Sequence, residues 1–255
     1  MKSSTKTNWD SFWEKKQQVE DVYANSSRVK SNLEKVTTIA GKKILEIGAG
    51  TGRDSFYFAE ENASLFLLDY SQNSLQIIKK LIPDRMKIFA IGGDAFSLPL
   101  PDESVDVVFH QGLLEHFRHE QAEKLLDENI RVLKKGGLLL VDVPQRYHIY
   151  TGIKHILIWM NAWFAGWERE FSIKELAEIF RRKNLTVLHS YGEWMYPSLF
   201  YRMLREVFLR VGIKLPLKPK SIPVLSGIRA SIRNFFDGSS IQKNTALSIG
   251  VIARK

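Results

Sequence analysis

Apolar residues recur along this chain in two alternating patterns. Short apolar runs such as KILEI, SLFLLD and VDVVF are bounded by glycine, acidic or turn-forming residues, which is typical of buried parallel strands. Between them lie segments with apolar residues three or four positions apart, which is the spacing of one helix face. Seven runs of the first kind alternate with such segments. The alternation predicts an α/β fold with a seven-stranded, mostly parallel sheet and helices on both faces.

Several helix ends are marked by residues that cap helices. Ser71 precedes the segment QNSLQIIKKL, and Ser172 precedes IKELAEIFRR with Glu175 three residues later, in the pattern of a capping box. The segment GRDSFYFAEE also has a helical pattern. The amphipathic segment HEQAEKLLDENIRVLKKGG is predicted to end at Gly136 and Gly137.

Three regions depart from the alternation. Residues 144–171 are rich in Trp, Tyr and Ile, and residues 195–240 separate the last two predicted strands. We expect both to be insertions over the carboxyl edge of the sheet, where such folds bind ligands, the second being a helical insertion before the last strand. Residues 1–36, which include WDSFWEKK, are expected to form cap helices over the ligand. We expect a single domain over residues 1–255.

The composition narrows the class of protein. The chain has 255 residues and no cysteine, which excludes a disulfide framework, a thiolate zinc site and a cysteine nucleophile. The first residues contain no apolar segment of signal-peptide type. The stretch IYTGIKHILIWMNAWFAGW is interrupted by Lys154, His155 and Asn161, unlike a membrane span. We therefore expect a cytoplasmic protein.

Positive charge is concentrated in one segment. Residues 202–236 hold eight basic residues and one acid, whereas residues 1–201 are neutral overall. The segment PSLFYRMLREVFLRVG places apolar residues on one helical face and arginines on the opposite face. Two interpretations stay open: a helix packed on the core with a solvated basic face, or a peripheral membrane contact through residues 196–236. Nucleic acid is less favoured because no RNA-binding module is recognisable.

The stretch ILEIGAGTGRDS carries the strongest chemical signal. A glycine-rich turn after a first strand lets the backbone approach a ligand closely. Gly48 and Gly50 are followed by Gly52, one place too early for the dinucleotide fingerprint, where Arg53 stands instead. Glu46 lies two residues before the first glycine, and a carboxylate there repels phosphate but attracts an ammonium or sulfonium group.

In these features LEIGAGTG resembles motif I of the class I S-adenosylmethionine-dependent methyltransferases. The resemblance continues in order through LLDYS, GGDAFSLPLPDESVDVVF, HQGLLEHF and VLKKGGLLLVDVP, over residues 42–188. It implies the Rossmann-like fold of that family, S-adenosylmethionine as cofactor, and Asp69 as the acceptor of hydrogen bonds from the ribose. It places Asp94 and the backbone of Ala95 near the adenine. The implied cofactor-binding residues are Glu46, Gly48, Ala49, Gly50, Asp69, Tyr70, Asp94, Ala95 and Gln111.

Methyl transfer needs alignment of the acceptor, exclusion of water and, for a protonated acceptor atom, a base. Glu115 and His116 follow the fourth predicted strand, beside the expected methyl group, and are the candidate catalytic residues. His116 is either that base or a wall residue. A divalent metal held by Glu115, His116 and His119 is a weaker alternative, and we expect no metal.

The acceptor is less constrained by the sequence. The signature Asn/Asp-Pro-Pro-aromatic of the enzymes that methylate DNA bases is absent. The resemblance implies methyl transfer to an oxygen or nitrogen of a small or lipid-like acceptor. An RNA methyltransferase and a non-catalytic S-adenosylmethionine-binding partner protein remain alternatives. Side chains of the first insertion either line an acceptor pocket or pack a helical lid: Arg146, Tyr147, His148, Trp163, Trp167 and Glu168.

Overall fold

The computed structural model describes residues 6–15, 28–52, 54–161, 167–194, 196–217, 219 and 223–255. Seven strands form one sheet in the order β3-β2-β1-β4-β5-β7-β6. β7 runs antiparallel to both of its neighbours, whereas the other paired strands are parallel. The predicted seven-stranded, mostly parallel sheet is therefore confirmed. The strands are β1 Lys43–Ile47, β2 Ser64–Asp69, β3 Ile88–Gly92, β4 Val105–Gln111, β5 Leu133–Pro144, β6 Thr186–Glu193 and β7 Ser248–Arg254.

Helices cover both faces of this sheet. Apolar residues of α5 and α7 pack on one face, and those of α2, α3 and α4 pack on the other. Both faces are lined by fully buried Leu, Ile, Val and Phe side chains, whose removal from water is the main stabilising term. The helices are α1 Lys6–Lys15, α2 Arg28–Leu33, α3 Phe56–Ala59, α4 Gln72–Leu81, α5 His119–Val132, α6 Ile149–Trp159, α7 Ile173–Arg182, α8 Leu199–Arg210, α9 Pro223–Phe236 and α10 Ser240–Thr245.

The predicted helix caps are present, one of them only in part. The Ser71 hydroxyl accepts a hydrogen bond from the Ser74 N–H, and the Ser172 hydroxyl accepts one from the Glu175 N–H at 3.2 Å. The Glu175 carboxylate, however, binds Arg146 and Arg169. Since that carboxylate is engaged elsewhere, the capping box at α7 is only half formed.

Two predicted helix boundaries are wrong. The helix expected to end at Gly136 and Gly137 ends at Val132, because the next five residues already belong to β5. Leu133 pairs with Val105, and Gly136 donates a hydrogen bond to the carbonyl of Lys255. The helical segment after β1 is also shorter than expected, with α3 limited to four residues.

Both insertions leave the sheet at its carboxyl edge. β5 ends at Pro144 and is followed by α6, and β6 ends at Glu193 and is followed by α8 and α9. β6 runs in the same direction as β5 because both are antiparallel to β7. The glycine loop after β1 lies at this edge as well. Among the helices that the structure describes, none has the length and hydropathy needed to cross a bilayer.

Candidate active site

The glycine loop after β1 is shaped by left-handed backbone. Gly48 and Gly50 have φ values of 68° and 57°, a region that residues with a Cβ rarely occupy. The Gly50 N–H donates to the Asp69 carboxylate at 2.8 Å. A Cβ added to Gly50 would lie 2.7 Å from the indole of Trp13 on α1. The loop thus needs glycine both for its conformation and for the close approach of the N-terminal helix.

Beneath α1 lies a cavity of about 260 Å³, which we call the cofactor cavity. Its walls come from the ends of β1, β2 and β4 and from α1. Eight of the nine predicted cofactor-binding residues line it. The lining includes Trp9, Trp13, Glu46, Gly48, Ala49, Gly50, Asp54, Asp69, Tyr70, Gly93, Ala95, Gln111, Gly112 and His116.

Asp69 is held in place by the backbone around it. One carboxylate oxygen accepts from Gly50 N–H and the other accepts from Ser71 N–H, each at 2.8 Å. Burial raises the pKa of Asp69, and these hydrogen bonds oppose the rise. The carboxylate therefore has a fixed orientation at the cavity wall.

Glu46 is buried below the glycine loop, where its carboxylate accepts a hydrogen bond from the Ser55 hydroxyl. Burial raises the pKa of Glu46 to about 8, and the neighbouring Asp54 and Asp69 act in the same direction. A cation bound in this cavity would relieve the repulsion among these carboxyl groups. The donor set therefore fits a ligand that carries an ammonium or sulfonium group.

Asp94 is the one predicted cofactor-binding residue that does not line the cofactor cavity. It is exposed, and its carboxylate accepts from the Phe96 N–H at 2.9 Å, as in an Asx turn. Its neighbours Gly93 and Ala95 line the cavity, whereas Asp94 does not. Its assignment to the adenine stays a prediction.

A second cavity of about 330 Å³, which we call the acceptor cavity, adjoins the first. The two share Trp9, Gln111, Gly112 and His116. The rest of its wall comes from β5, α6, the start of β7 and the segment after α6. The remaining lining residues are Arg28, Glu115, Asp142, Val143, Pro144, Tyr150, Thr151, Lys154, Glu168, Leu247 and Ser248.

His116 lies at the junction of the two cavities. Its ring contacts Trp9 edge-on, with centroids 5.1 Å apart, and its Nδ1 lies 3.8 Å from a carboxylate oxygen of Glu168. Burial lowers the pKa of His116 and Lys154 adds to this, while Glu168 and the Gly112 backbone oppose it. The lowered pKa favours a neutral imidazole, which can accept a proton at neutral pH.

Glu115 differs from His116 in the direction of its pKa shift. It is buried, and its Oε2 has no hydrogen-bond partner among the described residues. Burial raises its pKa well above the usual range, with Glu168 contributing. A carboxyl group in this state donates a proton in a hydrogen bond. His119 points into solvent on α5, and no metal-binding cluster of acids or histidines occurs in the part of the chain that the structure describes.

Comparisons with known proteins agree with this geometry. Residues 45–141 match the model of a methyltransferase domain. A demethylmenaquinone methyltransferase of Renibacterium salmoninarum is 35% identical over 109 residues, which are 43% of this chain and 44% of that protein. Over this region the chain is therefore similar to S-adenosylmethionine-dependent methyltransferases.

Two further comparisons also find methyltransferases. A malonyl-[acyl-carrier protein] O-methyltransferase of Methylococcus capsulatus is 33% identical over 125 residues, 45% of each chain. A solved structure from Thermotoga maritima, titled an S-adenosylmethionine-dependent methyltransferase and possible histamine N-methyltransferase, shares the fold. It has a TM-score of 0.64 and 18% identity, over 98% of this chain and all of that one. The chain matches less than half the length of these two curated relatives.

S-adenosylmethionine is the cofactor of this methyltransferase family, and the residues of the cofactor cavity fit it. A methionine ammonium and a sulfonium suit the carboxyl groups of Glu46 and Asp54, and a ribose suits the fixed carboxylate of Asp69. The glycine loop provides close backbone approach, and Trp9 and Trp13 cover the cavity.

The acceptor side contains polar residues that the sequence analysis did not assign. Arg28 donates to Asp142 and to Ser248, each at 2.8 Å, and the Tyr191 hydroxyl donates to Asp142. Lys154 pairs with Glu168, which the sequence suggests only as one candidate for the pocket lining. The available signal was Lys154 itself, a single charge inside the apolar stretch YTGIKHILIW.

Few of the predicted side chains of the first insertion line the acceptor cavity. Glu168 lines it, but His148 caps α6 by accepting from the Tyr150 N–H, and Arg146 binds Glu175. Tyr147 is exposed, and Trp167 stacks with Arg118. Trp163 lies outside the described residues. Most of these side chains therefore pack or face solvent, as in the lid interpretation.

Proposed function

We propose that this protein transfers the methyl group of S-adenosylmethionine to an oxygen or nitrogen atom of a small or lipid-like acceptor bound in the acceptor cavity. The observation that carries this proposal is the position of His116, which lines both cavities. When bound, S-adenosylmethionine supplies an electrophilic methyl group on a sulfonium. The chain contributes binding, alignment and a proton acceptor.

The residues divide this work between them. The glycine loop, Glu46 and Asp69 hold the cofactor. Trp9, which lines both cavities, limits the access of water to the place where the two ligands meet. His116, as a neutral imidazole, accepts the proton of the acceptor atom.

The charges of the acceptor cavity favour an uncharged acceptor group. Arg28 and Lys154 are the cations of its lining, and each is paired with carboxylates of the chain, Arg28 with Asp142 and Lys154 with Glu168 and Glu170. An anionic acceptor would have to displace these partners. One relative is named for demethylmenaquinone, a quinone, and another for malonyl-[acyl-carrier protein]. An uncharged acceptor that carries an O–H or N–H group suits a cavity with this balance of charge.

The activity can be tested without knowledge of the acceptor. Purified protein is incubated with methyl-labelled S-adenosylmethionine and, in separate reactions, a membrane-lipid extract, an aqueous small-molecule extract and total RNA. We expect label in a small molecule of the lipid extract and S-adenosylhomocysteine as the second product. The same reactions are run with His116→Ala. His119→Ala, at an exposed position on α5, is its matched control. Label in RNA, or cofactor binding without turnover in any reaction, would overturn the proposal in favour of an alternative.

The second insertion suggests how a lipid-like acceptor is reached. On α8 the exposed apolar residues Phe200, Met203, Val207 and Val211 follow helical spacing. On α9 the same holds for Val224, Ile228, Ile232 and Phe235, and Phe235 is 81% exposed. The interpretation of α8 as a helix with its whole apolar face packed on the core is therefore wrong. Leu204 and Phe208 are partly buried, and the side chain of Leu199 is not described.

We propose that these stripes, with the +7 charge of residues 202–236, contact a membrane that contains anionic lipids. The charge of Arg202 on α8 acts on Tyr150, which lies in the wall of the acceptor cavity. Each basic residue near such a surface is worth about 1 kcal/mol. The same surface would then bring both the protein and an apolar acceptor to the cavity.

Co-sedimentation with vesicles tests the membrane contact. We expect the protein to bind vesicles of phosphatidylcholine and phosphatidylglycerol at low salt, and to bind pure phosphatidylcholine weakly. The double substitution Phe200→Ser and Phe235→Ser should reduce binding, whereas Phe89→Ser on β3, exposed at the far edge of the sheet, should not. Lack of binding to anionic vesicles, or a stable dimer in solution that requires Phe200 and Phe235, would contradict the proposal.

A further inference from the structure

A buried cluster of charges lies beside the acceptor cavity. The Lys154 ammonium lies 2.6 Å from a carboxylate oxygen of Glu168 and 2.6 Å from one of Glu170. The three side chains are 3%, 6% and 5% exposed. His155, which is half exposed, contacts the other oxygen of Glu170 at 2.7 Å. The cluster joins α6 to the segment that follows it.

Stability alone is a weak reason for such a cluster. Removing three charged groups from water costs several kcal/mol for each ion, and apolar side chains of similar volume often serve as well or better. One cation between two carboxylates also leaves an excess of one negative charge when all three are ionised. Two members of the cluster, Lys154 and Glu168, lie in the wall of the acceptor cavity.

The open side of the cluster faces His116. Lys154 holds Oε2 of Glu168, and the other oxygen, Oε1, lies 3.8 Å from Nδ1 of His116. This nitrogen is buried and has no hydrogen-bond partner among the described residues. The charged groups that act on the ring are Glu168 and Lys154, and Glu168 is the nearer to it. Glu115 lies on the same turn, and Trp9 covers the ring from α1.

We propose that Glu168 is the positioning residue of His116, with its carboxylate fixed by Lys154 so that it orients the ring and balances the charge that the ring acquires. This inference rests on the proposed function. In the step concerned, the O–H or N–H bond of the acceptor breaks, its electron pair stays on the acceptor atom, and the proton moves to a ring nitrogen of His116. The imidazolium formed is stabilised by the carboxylate, and it later releases the proton to water.

In this arrangement, residues of the first insertion influence the ability of His116 to accept a proton. Lys154, Glu168 and Glu170 all belong to residues 144–171, whereas His116 follows β4. At an effective dielectric constant of about 20, the attraction between opposite unit charges about 4 Å apart corresponds to roughly a thousandfold change in proton affinity. A change of this order in the proton affinity of His116 is easily measured.

Titration of His116 by NMR tests the inference without an acceptor. The ring signals of His116 are assigned by their loss in His116→Gln, and the pH midpoint is measured in the wild-type protein and in Glu168→Gln. We expect Glu168→Gln to lower the proton affinity of His116 at least tenfold, because the balancing charge is lost. His155→Gln, at the exposed end of the cluster, should leave the midpoint nearly unchanged.

Kinetics give a second measurement once a methyl acceptor is known. Glu168→Gln should lower kcat while KM for S-adenosylmethionine stays within about twofold, and the acidic limb of the pH profile should move to lower pH. Glu168→Asp should recover part of kcat because it keeps the charge. A structural role alone would not shift the pH profile.

An unchanged His116 midpoint in folded Glu168→Gln overturns the inference. If that variant fails to fold, Glu168→Ala, which also removes the charge, is titrated instead, and a midpoint identical to wild type overturns the inference equally. A protein that shows the expected shift but forms no S-adenosylhomocysteine would reject the proposed methyl transfer and retain the coupling between Glu168 and His116.

Discussion

The two cavities of this protein are built in different ways. The cofactor cavity takes most of its polar wall from one stretch of chain, between Glu46 and Ala95, and its central carboxylate is held by backbone N–H groups. The acceptor cavity is assembled from side chains far apart in sequence, among them Arg28, Asp142 and Lys154. The cofactor cavity is therefore shaped mainly by residues of one stretch of chain, whereas the acceptor cavity is shaped by charged side chains from distant segments.

This difference has a thermodynamic side. Hydrogen bonds from backbone N–H groups orient Asp69 without a second charge, so the group remains available to a ligand. In the acceptor cavity Arg28 and Lys154 are matched by carboxylates of the chain. Breaking such a buried pair costs about 3–5 kcal/mol. Substitutions on the acceptor side should therefore affect both the stability of the protein and the binding of the acceptor.

The largest effect is expected at the junction of the cavities. His116→Ala should lower kcat by about 10²–10⁴, the usual range for loss of a general base, while cofactor affinity stays nearly constant. The measurement is the rate of S-adenosylhomocysteine formation together with calorimetry of cofactor binding. A loss below tenfold would make His116 a wall residue, and recovery of activity by Mg²⁺ after chelation would favour the metal alternative.

Glu46 should make the stability of the ligand-free protein depend on pH. Its pKa is about 8 in the folded protein against an ordinary value of 4.5. The protonated carboxyl therefore contributes stability that is fully present below pH 4.5 and is lost as the pH rises through 8. The loss is on the order of 5 kcal/mol.

Glu46→Gln removes this titration. Urea unfolding of the variant between pH 5 and pH 8.5 should show a flatter free energy of unfolding than the wild type, and Asp94→Asn, at an exposed carboxyl, is the matched control. Parallel curves for the wild type and Glu46→Gln would show that Glu46 ionises normally.

A smaller effect is expected at the ribose-binding residue of the family. Asp69→Ala should weaken S-adenosylmethionine binding by about 1–3 kcal/mol, because charge-assisted hydrogen bonds are lost and two N–H donors lose their acceptor. Calorimetry measures the change, with Asp94→Ala compared at the exposed position. NAD should not bind either protein. Unchanged binding in Asp69→Ala would contradict the prediction, and weaker binding in Asp94→Ala would support the assignment of Asp94 to the adenine.

The smallest expected effects come from a matched pair of helix caps. Ser71→Ala on the cofactor side and Ser172→Ala on the acceptor side should each lower the free energy of unfolding by about 1 kcal/mol. Both hydroxyls accept a backbone N–H at the start of a ten-residue helix. Denaturant unfolding gives the two values. A much larger loss for Ser172→Ala would indicate that the pairing of Arg146 and Arg169 with Glu175 depends on that cap.

Most of the fold and most of the cofactor cavity could be predicted from the sequence. Strand ends, helix caps and the spacing of Glu46, the glycines and Asp69 are local features, and local features are visible in a one-dimensional pattern. The end of α5 was mispredicted because Gly136 and Gly137 pair with the last strand, more than 100 residues away. The pairing of Arg28 with Asp142, 114 residues away, was not predictable for the same reason.

The position of β7 has a consequence for the order in which the molecule is completed. β7 is the last strand in the chain, yet it lies between β5 and β6 and is the neighbour that joins them. Arg28, near the beginning of the chain, binds Ser248 at the start of β7 as well as Asp142 on β5. During synthesis α2 therefore cannot complete its docking until β7 has left the ribosome. Until then one edge of β5 is unpaired and β6 has no strand partner, and such edges are sites for association with other chains.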